Sequence, residues 1–373
     1  MKYYIIAGEA SGDLHASNLM KAILQKDVYA EFRFWGGDLM QQVGGTLVKH
    51  YRELAFMGFV EVVMNLRTIT KNIAFCKKDI EEYNPDKIIF VDYPGFNFRI
   101  MKWAKPLGYE THYYISPQIW AWKEGRIKDI KRDVDQLYVI LPFEKEFYEE
   151  KHNFPVHFVG HPLLDAIANR KQVDDFEFRK KHRLNDKPII ALLPGSRKQE
   201  IKKMLKVMLS IVADFPDYQF VIAGAPSQDY SFYQQFINNE NISFISNKTY
   251  DLLSLSTAAL VTSGTATLET ALFKVPQVVC YKGSEISYQI AKRIIKLDYI
   301  SLVNLILNKE AVTELIQGEF NSKQLKKELK RILNTKHRYQ LFNDYYDLEN
   351  ALGGSGASNK TAELIINQSN KNA

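Results

Sequence analysis

Cysteine is nearly missing from this chain: Cys76 and Cys280 are the only two in 373 residues. Neither has metal-ligand spacing, so no disulfide framework and no cysteine metal site is implied. No apolar run approaches the ~20 residues needed to span a bilayer. The N-terminus lacks the charged, apolar and small-residue regions of a signal peptide, so a cytoplasmic protein is expected, one still able to touch a membrane surface. G-x-G-x-x-G and the P-loop are both missing, which disfavours a dinucleotide or ATP site. No Ser-His-Asp or Cys-His order is present, and no cluster of histidines and carboxylates has metal spacing. Excess charge is small as well. Lys and Arg number 49 against 43 Asp and Glu, a net +6. With no nucleic-acid motif beside it, this mild excess argues against DNA or RNA and suits an anionic ligand or an anionic lipid surface.

What is present is a patterned globular chain. Hydrophobic residues make up 46% and charged residues 25%, which leaves disorder to the ends. The length favours about two domains. Short apolar runs recur between amphipathic stretches: YYIIAG, EFRFWGG, KIIFVDYP, THYYIS, QLYVILP and VHFVG, then IIALLPGS, YQFVIAG, ISFIS, AALVTSG and QVVCYKG. Buried strands alternating with helices (15–25, 70–84, 198–214, 264–273 and 285–296) mean parallel sheets covered on both faces. The expected architecture is α/β, two Rossmann-like doubly wound domains joined near Gly160–Pro162: an N-terminal domain over 1–162 and a C-terminal one over 163–340. The end reads as a glycine-rich link, a short helix and a polar tail, and about 340–373 is expected to pack back or swap.

Ligands of open parallel sheets sit beyond the carboxyl ends of the strands, so the residues just after each run are the place to seek chemistry. GEASGD (8–13) turns a strand into a helix within a few small residues. Ser11 or Asp13 is placed to cap that helix. Glu9 would repel a phosphate, so the turn is either a plain capped turn or a rim for sugar hydroxyls. In FVDYPGFN, Asp92 closes an apolar run. It is either a general base with a tuned pKa or a cap or salt bridge; Asn97 follows as a group able to orient a hydroxyl. LLPGSRKQEI is the sharpest anion signal: Gly195 and Ser196 open a helix beside Arg197, a bidentate donor. VTSGTATLE repeats the device with Ser263, Gly264, Thr265 and Ala266, and Glu269, one turn inward, is placed to take both hydroxyls of a ribose. An ordinary N-cap, or a carboxylate favoured by a helix N-terminus, explains each segment in the alternative.

The stretch 54–72 carries too many apolar residues for one core stripe: Phe56, Met57, Phe59, Val60, Val63, Leu66 and Ile69 among them, with Arg67 and Lys71 beside them. It is an interfacial helix, a buried helix or a dimer contact. Trp120 and Trp122 sit beside a basic run and read equally as interface or core rings. His161 reads as a hydrogen-bonded turn residue.

In order along the chain, GEASGD, LAFMGFVEV, VDYPGFN, YYISPQIWAWKEGR, LPFEKEFY, FVGHPLLD, LLPGSRKQEI, SGTATLE and DYISLVNLI resemble the lipid-A-disaccharide synthase family, and the match extends to about residue 306. The resemblance implies a GT-B fold with a cleft between its domains and no metal or other cofactor. It implies inverting transfer of 2,3-diacylglucosamine from its UDP derivative to 2,3-diacylglucosamine 1-phosphate, giving a β-1,6-linked disaccharide and UDP. It places the essential aspartate on Asp92, the phosphate-contacting arginine on Arg197 and a donor-site amide on Asn304. With these roles assigned, the residue reading expects Glu9, Ser11, Gly12 and Asp13 to line the acceptor side and Asn97 to bind substrate there. It further implies peripheral association with the inner membrane through 56–69, and a homodimer, often with exchanged C-terminal segments. Gly95 stands where other members carry Asp, so that second carboxylate is not required. The residues alone leave two alternatives: a UDP-N-acetylglucosamine 2-epimerase-like enzyme, or a non-catalytic binder of nucleotide sugars or anionic lipids.

Overall fold

The computed structural model describes residues 1–54, 66–225, 228–237, 239–284 and 298–367. Their contacts divide them into two compact units. One holds the described residues of Met1–Asn169 together with those from Leu352 onward; the other is built from Arg170–Ala351. Gly160–Pro162, expected at the junction, therefore lies inside the first unit. There His161 Nδ1 accepts from the Leu163 amide at 3.2 Å and caps the helix Pro162–Ala168.

The first unit is a seven-stranded parallel sheet. Its strands are β1 (Lys2–Ala7), β2 (Glu31–Gly36), β3 (Thr46–His50), β4 (Lys87–Val91), β5 (Glu110–Tyr114), β6 (Gln136–Val139) and β7 (His157–Phe158), in the order β3-β2-β1-β4-β5-β6-β7. β1 and β4 are aromatic and β-branched runs with both faces covered, as central parallel strands require. Lys87, at the start of β4, is buried. Its ammonium lies 2.6 Å from Glu110 Oε1, and His112, which contacts the same carboxylate at 2.9 Å, reaches the Tyr138 hydroxyl at 2.9 Å. This network ties β4, β5 and β6 together toward their leading ends.

The chain's last described helix, Ala357–Asn367, packs against the first helix, Ala10–Lys26, and against Pro162–Ala168. Asp165 accepts from the amides of Gly356 (2.5 Å) and Ser358 (2.8 Å) and so caps it, using the preference of a helix N-terminus for negative charge.

The second unit is a six-stranded parallel sheet of β8 (Ile189–Leu193), β9 (Gln219–Gly224), β10 (Ile242–Ser246), β11 (Ser256–Thr262), β12 (Gln277–Tyr281) and β13 (Glu314–Ile316), in the order β10-β9-β8-β11-β12-β13. The short edge strands β3 and β13 were not expected from the sequence. In each sheet the order reverses once, between β1 and β4 and between β8 and β11. These are the topological switch points at which the following loops part and open a crevice. Register places the paired loops level: Ala7 faces Val91 and Leu193 faces Val261.

Candidate active-site rims

At the first switch point the loop after β4 is strained. Asp92 and Tyr93 both take left-handed φ angles, 44° and 49°. Ile115, just past the neighbouring β5, does the same at 65°, a rare conformation for a β-branched residue. Such residues cost about 1–3 kcal/mol each and persist where the surroundings hold them. Here the Asp92 carbonyl accepts from Asn97 Nδ2 and from the Tyr113 hydroxyl, each at 2.7 Å, and the Asp92 amide donates to Tyr114 O at 3.1 Å. The Tyr93 ring lies on Gly8, where any Cβ would collide with it; this is why the turn after β1 begins with glycine. Burial, and then the negative charge of Glu9, push the Asp92 carboxyl up to about 6. A half-buried carboxylate near that value is suited to accept a proton at neutral pH.

The acceptor-side residues separate. Glu9 and Ser11 are exposed on this rim, and Glu9, not Ser11 or Asp13, is the N-cap of Ala10–Lys26. Asp13 is turned inward and 3% exposed. Its carboxylate accepts from the amides of Gly37, Leu39 and Met40 at 2.8–3.1 Å, so it anchors the start of a different helix, Asp38–Val43. Gly12 is buried against Ala7 and serves close helix–strand packing. Asn97 is fully buried; its Nδ2 holds the Asp92 main chain, and its Oδ1 has no hydrogen-bond partner among the described residues. Of the apolar stretch, Phe56, Met57, Phe59, Val60, Val63 and the Leu66 side chain lie outside the described residues, and Ile69 is half-buried.

At the second switch point the loops after β8 and β11, with the end of β9, enclose a cavity of about 340 Å³, within the roughly 300–1,000 Å³ of small-molecule sites. Gly195, Ser196, Ser263, Gly264, Thr265, Ala266 and Glu269 all line it. At the start of Thr265–Leu272 the Thr267 amide donates to Gly264 O at 3.1 Å, while the Thr265 and Ala266 amides precede the first intrahelical bond and suit an anion. Gly195 is left-handed, φ 99°. Thr262 Oγ1 is buried at the wall with no partner. Arg197, the N-cap of Lys198–Met208, is exposed; it follows Ser196 at the cavity edge without lining it and makes no ion pair among the described residues. Glu269 Oε1 accepts from the Tyr250 hydroxyl at 2.9 Å. Burial raises the Glu269 carboxyl, and that hydrogen bond opposes the rise.

Asn304 does not join this site. It is fully buried, its Nδ2 donates to Val312 O and Glu314 Oε1, and its Oδ1 accepts from the amides of Ala311 and Val312, all at 2.8–2.9 Å. Each polar side-chain atom is hydrogen-bonded around the turn before β13, and Asn304 does not line the cavity at the second switch point. Tyr250, Thr249 and Glu200, which also belong to the site, were missed by sequence reasoning. Glu200, the third residue after the cap Arg197, had a usable spacing signal; Tyr250 had none.

Two parallel α/β units, each carrying a polar rim at its switch point, fit the GT-B fold class. UDP-GlcNAc 2-epimerase from Neisseria meningitidis, solved with UDP-GlcNAc, superposes with TM-score 0.70 at 13% identity, covering 98% of this chain and 100% of that one. The kitacinnamycin glycotransferase superposes with TM-score 0.66 at 11% identity, covering 98% of each. At such identities these likenesses establish the fold alone. Sequence goes further. The family model of lipid-A-disaccharide synthetase matches residues 3–366, and the lipid-A-disaccharide synthases of Trichlorobacter lovleyi and Coxiella burnetii are each 36% identical over 97% of this chain, covering 96% and 97% of their own lengths. The chain belongs to the lipid-A-disaccharide synthase family.

Proposed function

We propose that this chain, a glycosyltransferase of lipid A assembly, joins UDP-2,3-diacylglucosamine to 2,3-diacylglucosamine 1-phosphate through a β-1,6 bond, with inversion. One observation carries the assignment of roles. The two switch points hold complementary chemistry: a carboxylate near pKa 6 on the first unit and an amide-lined cavity on the second. Asp92 takes the proton of the acceptor 6-hydroxyl, whose oxygen attacks the donor anomeric carbon. The bond from that carbon to the diphosphate breaks, and UDP departs with the electron pair. Amides of Gly264, Thr265 and Ala266, those of Gly195 and Ser196, and the Arg197 guanidinium meet the growing phosphate charge; a preorganised donor of this kind contributes about 3–4 kcal/mol. In this reading they do so without a metal ion. Glu269 holds the ribose, and Glu9 and Ser11 face the acceptor.

The same reading sends the acyl chains out along 54–69 to the inner-leaflet surface, where nearby basic residues favour anionic lipid, and it includes a homodimer. No described helix is long and apolar enough to cross a membrane.

Radiolabelled donor and acceptor, resolved by thin-layer chromatography with EDTA present, test the proposal. A disaccharide formed in EDTA is expected. No product under any condition overturns the substrate assignment. Product only after a divalent metal is restored overturns the metal-free part.

A further inference from the structure

The Glu269 carboxylate has one hydrogen bond among the described residues, from the Tyr250 hydroxyl to Oε1 at 2.9 Å. Tyr250 is on the helix Thr249–Ser254 and Glu269 on Thr265–Leu272, so the bond crosses two elements. The Tyr250 ring is packed against Phe273, centroids 5.3 Å apart, which fixes where its hydroxyl points. Glu269 and Thr249 both line the cavity. A glutamate has three rotatable bonds and, left alone, would spread over several rotamers. A phenol is a neutral donor: it fixes the carboxylate without neutralising it, where an Arg or Lys partner would also compete for its charge.

We propose that Tyr250 is a positioning residue that pins one oxygen of Glu269, so that the other receives the vicinal hydroxyls of a nucleotide ribose and the cavity selects ribo- over 2′-deoxyribonucleotides. This rests on the nucleotide reading of the cavity given above. The selectivity follows from geometry. A pinned acceptor bonds a 2′-hydroxyl at little entropic cost, and its absence leaves a buried carboxylate oxygen unpaired. A free glutamate adjusts to either sugar and discriminates less.

The test is calorimetric titration of UDP and 2′-deoxy-UDP into the native chain, Tyr250→Phe and Glu269→Gln. In the native chain UDP is expected to bind about ten-fold tighter than 2′-deoxy-UDP. Tyr250→Phe is expected to cut that ratio about three- to five-fold by weakening UDP while leaving 2′-deoxy-UDP unchanged. Glu269→Gln is expected to bring the ratio near one. Tyr250→Phe weakening both nucleotides equally, or neither, while Glu269→Gln abolishes the preference, overturns the positioning role and leaves the nucleotide reading standing. Failure of UDP to bind the native chain overturns the nucleotide reading and the inference with it; UDP binding with a ratio indifferent to Glu269→Gln overturns the inference and the ribose role of Glu269.

Discussion

Asn97 donates its side-chain amide to the main-chain carbonyl of Asp92 at 2.7 Å, and Tyr113 donates its hydroxyl to the same oxygen. A left-handed aspartate is held from both sides by groups that never face solvent. Asn97→Leu removes one of the two ties. We expect kcat to fall about ten-fold, as misplacement of a catalytic group by a fraction of an ångström does, with UDP affinity unchanged. Steady-state kinetics beside UDP titration check this.

In the proposed role Asp92 must be ionised to take a proton, and burial, then the Glu9 charge, push its carboxyl up to about 6. The kcat/KM profile should therefore rise with pH through about 6 and level off above it. Removing the neighbouring negative charge with Glu9→Gln relieves part of the elevation, so the acid limb should move to lower pH. A limb that stays in place or moves upward separates Glu9 from Asp92. Asp92→Asn should lose turnover by about 100-fold or more while still binding UDP.

Asn304 distinguishes scaffolding from chemistry. Asn304→Ala leaves two buried amides and a carboxylate oxygen short of partners, each worth about 1–3 kcal/mol. Thermal melting should show a large loss of stability. At temperatures where the variant is folded, UDP affinity should match the native chain; a selective loss of UDP binding with unchanged melting would restore it to the donor site.

The Lys87 cluster ties stability to acid. Hydrogen bonds and charge from His112 and Lys87 outweigh partial burial and hold the Glu110 carboxyl at about 2. A depressed carboxylate stabilises the fold fully above its unfolded pKa, and that contribution fades as pH falls toward the folded value. Lys87→Met should destabilise by about 2 kcal/mol at neutral pH, less than the roughly 3–5 of a fully buried pair because Glu110 keeps contact with water. Urea unfolding should show the gap between native and variant narrowing from about pH 5 to about pH 2.

Much of this was legible in the sequence because open parallel sheets put ligands at predictable places. Apolar runs ending in Gly8, Asp92, Gly195 and Ser263 marked the strand ends, and the order of strands then set two of those pairs at the switch points. The amide-lined cavity needed only local pattern. Asp13 was misread because its partners, Gly37, Leu39 and Met40, lie on another helix; periodicity along one segment carries no information about a cap supplied from elsewhere. The turn that Asn304 holds was not legible either, since a buried amide serving a turn and one serving a ligand look alike until the partners are known. β3 and β13 escaped notice because short edge strands bury one face partly and show no long apolar run. Tyr250 reaches Glu269 only through tertiary packing.

The helix from Ala357 completes a unit that began with the first residue, and Asp165 waits for it with its carboxylate aimed at the helix start. During synthesis the second unit is made whole before the first can close. Until the segment Ala357–Asn367 leaves the ribosome, the nascent first unit exposes the face of Ala10–Lys26 that this helix covers. Domains commonly fold in the order they are translated; here the order is inverted for one step, and the first unit reaches its full stability only once the helix Ala357–Asn367 has been made.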